Sequence, residues 1–168
     1  MTTRVYVPTT LGGLREMAGT GTVGPARAVA HAVTEAVRRE LPDAGAEEWE
    51  HVASSAAGLA CIALLAAAAP GEAGPARRVV LAVDVPAARP TGGDDPTRVE
   101  VTDAVPFSHV AAVLADAADA EAVVAAARDA VAAGVPGTDR LLERCLDHEL
   151  GWWATQETAE LLASAGGG

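Results

Sequence analysis

The run RRVVLAVDV at residues 77–85 limits the fold of this chain more than any other stretch. Its β-branched residues follow one another without polar alternation, so we expect a strand that is buried on both faces. Asp84 is the one polar interruption after the leading arginines. A strand of this kind lies inside a sheet that other elements cover, which favours an α/β or α+β architecture.

Shorter strand and helix patterns alternate along most of the chain. The strand at 98–102 alternates polar and apolar residues, so we expect it near an edge of the sheet. Thr9 or Thr10 is predicted to cap a helix over 11–18, and Thr34 and one of Asp116 or Asp119 to cap later helices. The other predicted strands lie at 4–7, 27–33, 109–114 and 150–154, and further helices at 47–69 and 138–149.

Together these elements predict a mixed sheet of five to six strands packed with helices. No stretch has the composition of a linker between domains, and no repeat is present. We therefore expect one globular domain over residues 1–165, followed by a flexible glycine tail at 166–168.

An alanine-rich stretch is the longest uncharged segment. Residues 52–71 are about as long as a helix that crosses a bilayer, so a membrane span is one interpretation. Most of the stretch is alanine, however, and basic residues flank it on neither side. Glu47, Glu48 and Glu50 suit the first turn of a helix over 47–69. We expect one long helix buried at the centre of the core.

Net charge limits the partners of the chain. It has 12 basic and 23 acidic residues, with a formal charge of −11. Binding to nucleic acid or to an anionic membrane surface needs clustered basic side chains, so we expect neither partner. The first residues lack the charged start and apolar run of a secretory signal, which predicts a cytoplasmic protein. In that reducing compartment Cys61 and Cys145 are expected to be buried thiols rather than a disulfide.

The sequence indicates no cofactor and no metal. Its four histidines lack the spacing that places two imidazoles on one ion, and Cys145 with His148 forms half of a possible zinc set without the other half. The segment PTTLGGLRE at 8–16 precedes a predicted helix, where N–H groups can hold a phosphate. It matches neither the dinucleotide-binding nor the P-loop spacing, so ordinary capping is favoured.

Five side chains are candidates for acid–base chemistry: Asp84, His31, His148, Glu149 and Glu157. Asp84 has the strongest physical case, because a carboxylate among apolar neighbours has a displaced pKa and strand ends line clefts in α/β sheets. The alternative is that Asp84 caps the turn before Pro86 or pairs with an arginine.

Two adjacent tryptophans mark the end of the chain. If 150–154 is a strand, Trp152 and Trp153 point to opposite faces, whereas in a helix His148 would stack on Trp152. Gly151 favours the strand, and Thr155 is predicted to cap a last helix. We expect this segment to be a packing latch, in which Trp152→Ala costs about 3–5 kcal/mol.

Both ends of the chain resemble one protein family. RVYVPTTL at 4–11 and DHELGWWATQE at 147–157 look like the opening and closing segments of a small actinobacterial family known only as a domain of unknown function. VVLAVDVP at 79–86 extends the similarity over nearly the whole chain. The resemblance implies one intact domain and an actinobacterial source, and it carries no activity or catalytic residue.

Two functions from different classes fit these observations. We expect a small cytoplasmic binding or protein-interaction domain that self-associates, because the chain is apolar for its size and has no catalytic motif. The alternative is an enzyme that acts on a small metabolite in a cleft near the strand ends. Convergence of two of the acid–base candidates in one pocket would favour the enzyme.

Overall fold

The computed structural model describes residues 1–24 and 27–166. Seven strands form one sheet and two form a second, smaller sheet. The strands are β1 (Thr3–Thr9), β2 (Thr22–Val23), β3 (Ala28–His31), β4 (Val79–Val85), β5 (Ala88–Pro90), β6 (Arg98–Val101), β7 (Val105–Pro106), β8 (Val110–Ala115) and β9 (Gly151–Ala154). The helices are α1 (Leu11–Thr20), α2 (Glu35–Glu40), α3 (Ala46–Ala67), α4 (Glu121–Ala133), α5 (Thr138–Leu146) and α6 (Thr158–Ala165).

The main sheet runs in the order β5-β6-β3-β1-β4-β8-β9, and β2 pairs with β7. The predicted α/β class is confirmed. The predicted mixed sheet of five to six strands is wrong, because every neighbouring pair is antiparallel and the sheet has seven strands. The added strand, β5, is short and contains Pro90, which suits an edge and hides it from a search for alternating residues.

β4 is the buried strand that its sequence predicts. It lies between β1 and β8, and Val79 to Val83 are all buried. Its residues alternate between two covered faces, with Leu81 in the cluster on the first face and Val80 in the cluster on the second. Hydrophobic burial on both faces accounts for the absence of polar alternation in this run.

Different elements cover the two faces of the main sheet. On the first face, Leu11 and Leu14 of α1, Leu161 of α6, and Val23 and Val105 of the small sheet join the core cluster. On the second face, Ala53, Ala57 and Cys61 of α3 pack against the strands. Beyond them, α3 packs on α4 and α5 through a cluster that includes Ile62, Val124 and Cys145. The result is a three-layer arrangement of helix, sheet and helix.

The long helix α3 is confirmed, with one correction. It is long and apolar enough to cross a membrane by length and composition alone. Its small side chains nevertheless pack on the sheet, as in the core helix of a globular fold. The expectation of burial on all sides is wrong at Leu64, which is 43% exposed.

The helix caps are partly as predicted. Thr10 caps α1 by accepting a hydrogen bond from the Gly13 N–H, and Thr34 caps α2 by accepting one from the Val37 N–H. The predicted cap of α4 at Asp116 or Asp119 is wrong, because the residue before that helix is Ala120, with no side-chain cap. Asp116 is buried and makes a different contact, described below.

The closing segment forms the strand β9, as the sequence favoured. The packing role predicted for Trp152, however, belongs to Trp153. Trp153 pairs with Val113 of β8 and packs against the first-face core. Trp152 is 67% exposed, so its predicted role as the latch is wrong. Thr155 does not cap α6 but donates a hydrogen bond to the Val110 carbonyl. Of the predicted glycine tail, 167–168 lie outside the described residues.

Candidate functional site

Asp84 lies in a surface ion pair. Register places Arg4 of β1 opposite Asp84 of β4, and the guanidinium donates from Nε to Oδ1 at 2.7 Å and from Nη2 to Oδ2 at 3.1 Å. These hydrogen bonds lower the pKa of Asp84 below its ordinary value, while partial burial opposes them. This is the alternative that the sequence left open, the pairing of Asp84 with an arginine.

Glu157 has a structural contact. Its carboxylate accepts a hydrogen bond of 2.7 Å from the Ala154 N–H, where β9 turns towards α6. A carboxylate at this position satisfies a donor that the end of the strand leaves free.

His31 is buried in β3 and is 4% exposed. Its Nδ1 lies 2.8 Å from the Thr97 hydroxyl and 3.5 Å from Oδ2 of Asp95. The Thr97 hydroxyl also lies 2.6 Å from Oδ1 of Asp95. Burial lowers the pKa of His31, the Asp95 carboxylate opposes that shift, and Arg98 adds to it.

This chain of contacts fixes the tautomer of His31. The Thr97 hydroxyl donates its proton to Oδ1 of Asp95, because a carboxylate accepts hydrogen bonds. The hydroxyl oxygen is then free to accept, and Nδ1 of His31 carries the ring proton that it donates to Thr97. Nε2 is left as a lone-pair acceptor, and it contacts no donor in residues 1–24 and 27–166.

A cleft with a volume of about 710 Å³, which we call the histidine cleft, opens beside His31. β1 and β3 pair at Tyr6 and His31 alone and then separate, so the cleft opens between their diverging ends. Pro8 has no N–H with which to extend that pairing. The lining residues are Val7, Pro8, Thr9, Gly13, Glu16, Met17, Thr20, Thr22, Gly24, Arg27, Ala28, Val29, His31, Ala60 and Leu64.

A second cleft, which we call the arginine cleft, holds two other candidates, His148 and Glu149. It has a volume of about 300 Å³. It opens where α3 faces the segment that joins α5 to β9. Its lining residues are His51, Ser54, Ser55, Arg78, Leu114, Leu146, His148, Glu149 and Leu150.

Arg78 and Asp116 form a buried ion pair behind this cleft. The guanidinium donates to Asp116 from Nε at 2.9 Å and from Nη2 at 2.7 Å, and the Arg78 backbone N–H donates to the same carboxylate at 2.8 Å. Nη2 also donates to the His148 carbonyl at 2.7 Å. Sequence reasoning missed this pair. The register that sets Val79 opposite Ala115 would have revealed it, since Arg78 and Asp116 are the next residues outward.

The structure brings only two neighbouring candidates into one cleft. His148 and Glu149 share the arginine cleft, His31 lies in the histidine cleft, and Asp84 and Glu157 line neither. In the described part of the chain, no three His, Cys, Asp or Glu side chains are grouped so that they could hold a metal ion.

The glycine pair in the first turn of α1, Gly12 and Gly13, serves packing rather than phosphate binding. The Gly12 N–H donates to the Ala73 carbonyl, and the Gly13 N–H donates to Thr10. A Cβ on Gly12 would lie 1.9 Å from the Glu72 carbonyl oxygen, so only glycine allows the loop to approach this closely. The N–H groups that could have held an anion are therefore occupied.

The fold and its clefts define a class, a three-layer α/β protein with an antiparallel central sheet. The chain belongs to a family of unknown function (DUF6912), whose model matches residues 3–162. The resemblance at the two ends of the sequence is thereby confirmed at the level of the family. No curated protein matches the chain, and no solved structure matches it.

Proposed function

We propose that this protein is a small-molecule-binding domain and that its site is the histidine cleft. The observation that carries the proposal is His31, a buried imidazole with a fixed tautomer that lines a cleft of about 710 Å³. Clefts of this size, mostly apolar and with few polar groups, are the usual sites of small ligands. We therefore propose a mainly apolar ligand with an O–H or N–H group that donates to Nε2.

The rest of the cleft supports this ligand class. Val7, Met17, Ala60 and Leu64 supply apolar surface. Leu64 is an exposed large apolar side chain on α3, and a ligand in the cleft would cover it. Burial of this surface would stabilise the complex, while the hydrogen bond to His31 would select the ligand.

A thermal-shift screen against small metabolites tests the proposal, with two matched variants of α3. Ala60→Leu fills the cleft, whereas Ala63→Leu makes the same change at an exposed residue that does not line it. A ligand at about 100 times its Kd adds about 2.7 kcal/mol, or very roughly 5–10 °C for a chain of this size. We expect compounds that raise the Tm of the wild type and of Ala63→Leu but not of Ala60→Leu. The proposal fails if no compound shows this pattern.

Catalysis in the same cleft is a second candidate function. The Thr97 contact orients the His31 ring, and burial, which lowers the pKa of His31, favours the neutral imidazole with a free lone pair, the form that acts as a general base. An enzyme would convert a compound found in the screen, so the mixture is incubated with protein and followed by mass spectrometry. Unchanged ligand after prolonged incubation would favour the binding domain.

We also propose that the protein self-associates through β9. This strand ends the main sheet, so its outer backbone groups face no other strand in the described part of the chain. The exposed Trp152 on the same strand adds apolar surface. Pairing of two such edges is a common mode of association. Light scattering should give a dimer for the wild type and a monomer for Trp152→Glu, and a monomeric wild type would contradict the proposal.

A cytoplasmic location completes the proposal. Cys61 and Cys145 are both free and buried, which suits a protein kept in a reducing compartment.

A further inference from the structure

We infer that the arginine cleft is a second binding site, for small neutral molecules that present a carbonyl oxygen to Nη1 of Arg78. The inference starts from a donor that the fold leaves unused. Nε and Nη2 of Arg78 hold Asp116, and Nη2 also holds the His148 carbonyl. Within residues 1–24 and 27–166, no acceptor contacts Nη1, although Arg78 is only 2% exposed.

Among the described residues no fully buried side-chain nitrogen or oxygen lacks a partner, so this free donor keeps contact with solvent and is open to an acceptor. Here Arg78 lines a cleft of about 300 Å³, so an acceptor can reach the free nitrogen from outside. An Arg donor forms stronger hydrogen bonds than a neutral one, because the guanidinium is charged.

Gly58 lies beside Nη1 of Arg78, next to the residues that line the cleft. It lies in the interior of α3, where glycine is destabilising relative to alanine. Its backbone has helical geometry, so no turn requires a glycine there. A Cβ at this position would lie 3.7 Å from Nη1 and 3.7 Å from Cδ1 of Leu150. A methyl group would therefore fit, in van der Waals contact with Nη1.

The charges around the cleft favour a neutral ligand over an anion. The positive charge of Arg78 is already balanced by Asp116. The other titratable groups that line the cleft are Glu149, His51 and His148. At neutral pH an anionic ligand would add a negative charge near Glu149 without an unpaired cation to receive it. A carbonyl oxygen accepts the same hydrogen bond without that cost.

The remaining walls indicate the body of the ligand. Leu114, Leu146 and Leu150 give the cleft an apolar side, opposite to the polar side chains of α3. A volume of about 300 Å³ is at the lower end of ligand sites, which selects a compact molecule. Together these features point to a carbonyl group, such as a primary amide, attached to a small apolar body.

Benzamide and benzoate are matched probes for this site, because they have nearly the same shape and differ in charge. Binding is followed by NMR titration of the backbone amide signals of Ser55 and Leu150, which line the cleft, in the wild type at neutral pH. Gly58→Ala places a methyl group beside Nη1. Gly19→Ala is the matched control, since it makes the same change in α1 at a position with open space around it.

We expect saturable shifts with benzamide in the wild type and in Gly19→Ala. Gly58→Ala should bind benzamide about fivefold more weakly or worse, as should the wild type with benzoate, a loss on the scale of one hydrogen bond. The site is rejected if benzamide gives no saturable shift or binds Gly58→Ala as well as the wild type. Tighter binding of benzoate would overturn the assignment to neutral ligands. None of these readouts depends on the histidine cleft, so the two proposals can fail separately.

Discussion

At the scale of single residues, two ion pairs show how burial decides the effect of a charge. Arg4 and Asp84 are each about two-fifths exposed, with side-chain values of 41% and 40%. Arg78 and Asp116 are almost fully enclosed. Water screens the first pair, whereas it has little access to the second, which depends on its partners for most of its hydrogen bonds.

Loss of Asp116 should therefore be far more damaging than loss of Asp84. Asp116→Ala leaves the Arg78 guanidinium buried without its counter-charge, which should lower the free energy of unfolding by about 3–5 kcal/mol. Asp84→Ala should lower it by at most about 1 kcal/mol. Urea denaturation of both variants measures the difference. Equal losses would mean that Arg78 finds another partner or reaches water.

His31 predicts how stability depends on pH. Burial places its pKa in the folded protein below the ordinary value of 6.5. The unfolded chain therefore binds this proton at a higher pH than the folded protein does. The contribution of neutral His31 to the free energy of unfolding is fully present above about pH 6.5. It is lost as the pH falls towards the lowered pKa of the folded state.

Replacement of the titrating ring tests this dependence. His31→Gln should show a smaller loss of unfolding free energy than the wild type between about pH 7.5 and 5.5, because it has no ring to protonate. Urea denaturation at the two pH values gives the comparison. An identical loss in both proteins would assign the pH dependence to other groups.

At the scale of elements, the two tryptophans of β9 illustrate what strand alternation can and cannot decide. Alternation predicts that they point to opposite faces, and they do. Which one faces the core depends on the neighbouring strand. Val113 is fully buried and lies opposite Trp153, whereas the partly buried Leu114 lies opposite Trp152. This register is set by contacts distant in sequence, so the local pattern could not supply it.

Truncation of each tryptophan should separate the two roles. Trp153→Ala should lower the free energy of unfolding by about 2–4 kcal/mol, because it opens space against the first-face core. Trp152→Ala should change it by less than about 1 kcal/mol at concentrations where the protein is monomeric. Thermal unfolding of the two variants is the measurement. A larger loss for Trp152→Ala would restore the original assignment of the latch.

The same limit explains the other differences between prediction and structure. The strand positions could be predicted from runs of β-branched residues. Thr10 and Thr34 predicted the starts of their helices because a capping residue lies next to the helix it caps. Strand order and direction depend on distant pairings, so the sheet was expected to be mixed. Asp116 resembled a cap because its partner, Arg78, is far from it along the chain.

At the scale of the whole molecule, only part of the candidate site could be predicted from the sequence. His31 stood out as a histidine inside an apolar strand. Its hydroxyl partner Thr97 and the cleft beside it come from segments that only the fold brings together. The arginine cleft likewise combines α3, the start of β4 and the segment after α5.

The two cysteines should report on unfolding of the whole molecule. Burial raises the pKa of Cys61 to about 12, and Cys145 is also buried with a raised pKa. Since the thiolate is the reactive form, neither should react with a disulfide reagent at about pH 8 while the protein is folded. Both should react once urea unfolds the chain, as measured by absorbance. Rapid reaction of the folded protein would reveal local opening around one of them.

The central position of β1 has a consequence for synthesis of the chain on the ribosome. β1 (Thr3–Thr9) finds its full-length partner only in β4 (Val79–Val85), which is made much later. β4 must therefore have left the ribosome before the middle of the sheet can assemble. Such distant pairings make folding slow. Until β4 is available, the apolar strand β1 stays unpaired and exposed to other partners.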